Sequence, residues 1–390
     1  MAFSGRFVFS QVVAPVHRQL SARCVDRYQG DHKVRHFSCR EQFLCLAFAQ
    51  LTGRESLRDI EVCPDARPER RGRLGFSKPI ARSTLAEADE SRDWRIYGDL
   101  AQALIGRARE LYAREDPGLD LDATVYALGS TTIELCLTLF PWARYQRTCG
   151  AIKLHTLLDL RGPIPSFIQF SDGKQADVTV LDALLPEPGS FYLIDRGYLD
   201  YRRLHRFHQA GAFFVTRAKK GLRLQRVGSR PVEMATGLRC DQTIRFVTAE
   251  GRSNYPAQLR KVRFKDPVTG HLLVFLTNNF DLPALTVAQL YKLRWQVELF
   301  FKWIKGHLRI KAFYGTSANA VQTQVWIAIC AYVLVAILKK ELRLPLSLHT
   351  MLQVLSVNAF EKVSLAELLA EAPPEMKENH LPNQLSLNGL

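Results

Sequence analysis

The chain has 390 residues, 47% apolar and 23% charged, which is enough to bury a large core in two or three domains of a globular, soluble protein. Its 53 Lys and Arg against 38 Asp and Glu leave +15 at pH 7, so a polyanionic partner, nucleic acid first, is favoured. The eight cysteines (24, 39, 45, 63, 136, 149, 240, 330) include no C-x-x-C pair, so neither a zinc site nor a disulfide framework is indicated, and they suit a cytosolic protein. The N-terminus, interrupted by Arg6, does not read as a secretory signal. The longest apolar run, Val325 to Leu338, is 14 residues, too short to span a bilayer, so no membrane partner is expected.

Residues 1–115 carry apolar positions at helical spacing in Glu41 to Leu51 and Trp94 to Tyr112, separated by a basic, Pro-containing loop at Asp65 to Arg73. Thr84 and Glu87 have capping-box spacing and predict a helix start there. An all-helical domain with a basic turn suits DNA binding, and it is equally an ordinary way to build any helical domain. From Leu119 the pattern changes, with strand-like runs at Asp122 to Leu128, Ala151 to Leu160, Ile164 to Phe170 and Phe191 to Ile194, and a helical stretch at Ala176 to Leu185. Strands mixed with helices predict an α/β core whose strand ends share an edge.

Residues 201–285 break into short strand-like runs separated by Gly, Pro, Asn and Ser, the pattern of β-hairpins. Between 201 and 270 there are 16 Lys and Arg against four acids, so this stretch alone carries +12. Basic side chains interleaved with Phe207, Phe213, Phe214, Phe246 and Tyr255 would serve phosphate contact plus base stacking. A solvated sheet face with basic residues guarding its edge gives the same pattern. Helices resume at Thr286, where Thr286 and Gln289 again have capping-box spacing, and continue from about Asn319 to Glu341. The last residues, with Pro373, Pro374 and Pro382, read as a short helix and a loose tail.

Asp122 and Asp195 each lie at the edge of an apolar, strand-like run, where an acid is expensive unless partnered. Hard divalent cations take carboxylates, waters and phosphate oxygens, so two strand-end aspartates with a third acid would make a two-metal site. A helix cap or an ion pair explains either aspartate alone. The third acid is Glu298, in the segment Tyr291 to Lys305. On one helix, Tyr291, Arg294, Glu298 and Lys305 fall within a stripe about 60° wide, while Leu293, Val297, Phe300 and Ile304 form a separate apolar face. A surface ion pair between Arg294 and Glu298 is the plainer explanation of that stripe. His155 and His307 read as structural or phosphate-contacting residues rather than metal ligands, since magnesium prefers oxygen.

In these residues the chain resembles DDE-type insertion-sequence transposases, in the subgroup marked by Tyr-x2-Arg-x3-Glu-x6-Lys (the IS-four family). Tyr291, Arg294, Glu298 and Lys305 match that signature completely, and Ile194-Asp195-Arg196-Gly197-Tyr198, the strand Ala151 to His155 and the context of Asp122 are similar to the family's acid motifs. The resemblance implies an α/β, ribonuclease-H-like catalytic core (116–200 and 286–345) interrupted by a basic β-rich insertion (201–285). It adds an all-helical N-terminal DNA-binding domain (1–115) and a short C-terminal segment (346–390). It implies Asp122, Asp195 and Glu298 as catalytic residues holding two Mg2+ or Mn2+ ions, with Tyr291, Arg294 and Lys305 binding DNA phosphate. The partners implied are double-stranded DNA, both transposon terminal repeats and target, bound by a homodimer in the bacterial cytoplasm. Two departures stand out: no tryptophan lies in the insertion to stack on a flipped base, and the family's His-Asp pair reads Ala176-Asp177 here, after Gly173-Lys174-Gln175. The expected activity is cut-and-paste transposition. The rivals are a transposase-derived DNA-binding protein that no longer cuts, and a plain nuclease without strand transfer.

Overall fold

The computed structural model describes residues 5–370 except 66–70, 73, 77, 120, 145–149 and 308–312, so the Pro-containing tail, Cys149 and part of the basic loop lie outside the described residues. The chain divides into two compact units. One takes the chain up to Ala113, Thr132–Ile152 and the chain from Phe300 on; the other takes Arg114–Thr131 and Lys153–Leu299.

The first unit is mainly helical. Its N-terminal helices are α1 (Val8–Val12), α2 (Arg18–Arg27), α3 (Cys39–Thr52), α4 (Leu57–Asp65), α5 (Arg82–Ser91) and α6 (Arg95–Tyr112). Helix α3 starts on a reciprocal capping box, Ser38 with Glu41, and ends at Gly53, whose φ of 66° is cheap only for glycine. The spacing of Thr84 and Glu87 does not make a cap. Helix α5 begins at Arg82, with Ala81 at the N-cap and no side-chain bond, so Thr84 is already inside the helix. The apolar run at 325–338 lies within a helix at Ala318–Glu341, whose most apolar 18-residue window is 94% buried inside the protein. That is a core helix, packed against α6 and α3.

The second unit is built on a sheet of order β3-β2-β1-β4-β5-β9-β8-β7-β6. Its strands are β1 (Val125–Leu135), β2 (Gly150–Asp159), β3 (Ile164–Asp172), β4 (Phe191–Ile194), β5 (Phe213–Arg217), β6 (Leu224–Arg230), β7 (Leu238–Phe246), β8 (Leu259–Lys265) and β9 (Leu272–Thr277). Central β4 runs parallel to both β1 and β5, and all four of its residues are buried, as a strand covered on both faces requires. From β5 outward the pairing is antiparallel. The hairpin strands of residues 201–285 are therefore hydrogen-bonded into the same sheet as β1 and β4. Tyr126, Leu128, Tyr192, Ile194, Phe214, Ile244 and Leu276 share one core on one face of this sheet. The stretch at 176–185 is a short 3-10 helix, Asp177–Asp182.

Helix α7 (Tyr201–Gln209) and a short helix, α8 (Ala249–Asn254), flank the sheet strands in sequence, and α9 (Ala284–Leu293) and α10 (Trp295–His307) follow them. Helix α9 starts from Pro283, so Thr286 and Gln289 lie inside it rather than capping it. Of the expected apolar face, Val297, Phe300 and Ile304 are buried on α10, whereas Leu293 is half-buried at the end of α9.

Candidate active site

Strand β4 ends at Ile194, and Asp195 follows with extended backbone, half-buried, before a 3-10 turn at Arg196–Tyr198. The Tyr291 hydroxyl, on α9, donates to Asp195 Oδ1 at 3.3 Å. Burial, more than its neighbour Asp195, pushes the Tyr291 phenol up to about 12, so it stays a hydrogen-bond donor at neutral pH. Between α9 and α10, Arg294 sits in a turn, with φ −54° and ψ −27°. The helix expected to run unbroken is interrupted there, because Arg294 N–H bonds back to Tyr291 O, three residues earlier, at 3.2 Å. From that turn Arg294 Nη1 donates to Glu298 Oε1 at 2.9 Å, and its guanidinium lies 5.8 Å from the Tyr291 ring centroid.

Burial works against the Arg294 charge, but Tyr291, Glu298 and Asp195 outweigh it and hold the guanidinium above its usual value. Its Nε is buried and donates to nothing in the protein, an orphan donor of a kind an anion would satisfy. Arg217 and Arg196 lie within electrostatic reach of the same group; burial first lowers Arg217 from its usual value, while Asp195 and Tyr291 act the other way. Asp195 thus has two arginines, Arg294 and Arg217, within electrostatic reach, and Arg196 follows it in the chain. Lys305, in the other unit, donates to the Thr132 carbonyl at 2.8 Å.

The structure brings Asp195, Tyr291, Arg294 and Glu298 together, and it does not bring Asp122 to them. Val125 pairs with Phe191 and Leu128 with Ile194 in parallel register, so β1 and β4 start and finish side by side. Asp195 follows the finish of β4, whereas Asp122 precedes the start of β1 and is exposed. Thr124 O, two residues on from Asp122, accepts from Phe191 N–H at 2.9 Å at the beginning of β4. At about 3.3 Å per residue the four steps from Val125 to Gly129 alone cover about 13 Å.

Sequence reasoning missed a polar cluster on the other side of Asp195. Asp177 accepts from Lys153 Nζ at 2.9 Å and from Ser130 Oγ at 3.2 Å. A Cβ on Gly197 would stand 3.9 Å from Asp195 Oδ2 and 4.0 Å from Asp177 Oδ2, so both carboxylates flank one backbone turn. Tyr198 is nearly fully buried, which pushes its phenol up, and it feels Asp177, Asp195 and Glu298 alike. His155 is fully buried, bonded through Nε2 to Ser171 Oγ at 2.8 Å, and burial lowers its pKa below the usual imidazole value. It is a structural histidine; the His307 side chain lies outside the described residues. The one sequence signal for Asp177 was its place in the altered Ala176-Asp177 pair. Among the described residues no three His, Cys, Asp or Glu side chains gather closely enough to hold a metal ion.

The aromatic residues of the basic stretch are core, not stacking platforms: Phe207, Phe214, Phe246 and Tyr255 are all at most 5% exposed. Phe213 stacks on Phe191, with centroids 4.9 Å apart. Part of the charge is also consumed internally. Arg260 is buried in a bidentate pair with Asp241, both bonds at 2.8 Å, and Arg203 and Arg206 pair with Asp182. What remains for a partner includes Lys261, Arg263 and Lys265, alternate residues of β8 that face away from buried Val262 and Phe264.

The sequence matches the transposase DDE domain family over residues 114–334, which covers both the strand ends and α9 and α10. The chain belongs to the DDE-domain transposases. It is 31% identical over 343 residues, 84% of this chain and 92% of the other, to the putative transposase y4zB of Sinorhizobium fredii. The probable transposase for insertion sequence element IS5377 of Geobacillus stearothermophilus is 32% identical over 209 residues, 53% of this chain and 54% of that one. A more distant relative, the putative transposase for insertion sequence element IS4SA of Synechocystis, is 21% identical over 74% of this chain and 81% of its own length. Residues 4–77 match a separate domain family of unknown function, DUF4372.

Proposed function

We propose that this chain engages transposon-end DNA at a site laid out for phosphodiester cleavage and strand transfer, and that on its own it binds DNA without cutting it. The observation that carries this reading is the placement of Asp122 at the opposite end of β1 from Asp195. In the family reaction two Mg2+ or Mn2+ ions would activate water or a DNA 3′-hydroxyl and stabilise the leaving oxygen. The residues present do not fit that pair of ions. Asp195 stands among arginines, Glu298 is committed to Arg294, Asp177 is neutralised by Lys153, and among the described residues no third acid completes a cage.

The same residues do suit a phosphate. Arg294 offers an orphan Nε, with Arg217, Arg196 and the Tyr291 hydroxyl nearby, and the exposed basic face of β8 adds sequence-independent attraction along a duplex. Pairing of two ends on a homodimer, with target DNA as the second substrate, belongs to the same reading.

The test is a mobility-shift titration of the full chain on duplexes carrying the two ends of its own element, alongside a nicking assay in Mg2+ and in Mn2+. Binding that weakens steeply with salt, with no nicked product, is expected. Nicking by the unaltered chain would defeat the reading, as would failure to bind the end duplexes.

A further inference from the structure

The parallel register of β1 and β4 does more than remove Asp122. Leu128 lies beside Ile194, so one step further on Gly129 lies beside Asp195. Neighbouring strands are about 4.8 Å apart, and side chains at in-register positions of parallel strands point the same way. Tyr126, Leu128, Tyr192 and Ile194 all feed one core, which assigns residues 129 and 195 to the opposite face. Tyr291 reaches Asp195 on that side, packed at 5.1 Å against Phe275, whose neighbour Leu276 belongs to the first core. A side chain on residue 129 would therefore stand next to the Asp195 carboxylate and on the side from which α9 approaches. This chain has hydrogen there.

We infer that residue 129 is the position from which this fold completes its acid cluster, and that glycine at that position is what leaves the chain unable to hold divalent ions. The inference rests on the DNA-binding reading above and names the cause of its missing chemistry. No other described acid fills the gap. Asp122 is at the far end of the strand, and Asp177 already accepts from both Lys153 and Ser130. Two carboxylates with one held by arginine give a weak site for a hard cation, and a third anionic oxygen donor alters affinity directly through the charge count.

The experiment uses the full chain in four forms: unaltered, Gly129→Asp, Gly129→Asn and the double variant Gly129→Asp with Glu298→Gln. Bound Mn2+ is read by electron paramagnetic resonance, and nicking of end duplexes is scored in parallel. Gly129→Asp is expected to bind Mn2+ at least about tenfold more tightly than the unaltered chain or Gly129→Asn, and the double variant to lose that gain. Nicking product is expected from Gly129→Asp alone. Equal Mn2+ binding by Gly129→Asp and Gly129→Asn overturns the inference while leaving DNA binding by the unaltered chain untouched.

A thermal melt checks each variant, because residue 129 is buried in the strand. Should Gly129→Asp fail to fold, the unaltered chain and Asp122→Ala decide the matter. The inference requires that Asp122→Ala leave Mn2+ binding unchanged; tight Mn2+ binding abolished by Asp122→Ala overturns it.

Discussion

The Tyr291 hydroxyl donates to Asp195 across 96 residues of chain, and the bond ties α9 directly to the end of β4. Replacing Tyr291 with Phe keeps the buried ring and removes only the bond. The expected cost is about 1 kcal/mol of stability, read as a shift in the denaturant midpoint, together with weaker binding of end duplexes. Unchanged midpoint and unchanged binding would mean that the bond positions nothing.

The exposed basic face of β8 makes a quantitative claim about salt. Changing Lys261, Arg263 and Lys265 together to Gln is expected to weaken DNA binding uniformly across sequences. The slope of log affinity against log salt should flatten by about 0.9 for each phosphate that the protein no longer neutralises. Were the slope to stay the same, these residues would be solvated guards of the sheet rather than DNA-binding groups.

Arg260 is 2% exposed, and its bidentate partner Asp241 is 3% exposed. Asp241→Ala strands a buried guanidinium and is expected to cost about 3–5 kcal/mol by equilibrium unfolding. The paired change Asp241→Leu with Arg260→Met, which leaves neither charge behind, should recover much of that loss. A single variant as stable as the unaltered protein would contradict the pairing.

Asp89 accepts from Gln42 Nε2 at 2.7 Å, yet burial dominates and raises its carboxyl from 3.8 to about 7. The folded state therefore keeps a proton that the unfolded state releases between those values. Its contribution to stability is complete below pH 4 and is lost as the pH climbs through 7. Asp89→Asn removes that titration, so the stability difference between variant and unaltered protein should grow in the variant's favour across that window, reaching on the order of a few kcal/mol at pH 8. Parallel pH profiles of the two proteins would refute this.

Much of the candidate site could be read from spacing. Glu298, Arg294 and Tyr291 announced themselves by shared helical phase, and Asp195 by its position after an apolar run. Their convergence survives even a break in the helix, because a residue in αR geometry turns the chain without reversing it. Asp122 misled because an acid just before an apolar run looks the same, in sequence, as an acid just after one. Only the parallel pairing with β4, set by residues more than sixty positions away, tells which end of a strand faces the site. The aromatic residues of the basic stretch failed for a related reason: Phe214 and Tyr255 pack against strands and helices distant in sequence, and no local pattern marks a ring as covered. The long helix at Ala318–Glu341 was legible because apolarity on all sides leaves burial as its only use in a globular chain.

That helix has a consequence for how the molecule is made. It arrives about two hundred residues after α6, which it packs against, so the apolar surface of α3 and α6 stays uncovered throughout synthesis until the ribosome has passed Glu341. A gene copy cut short by a stop codon before that point would release helices with no lid for their greasy side. Such remnants are destined for proteolysis or clumping.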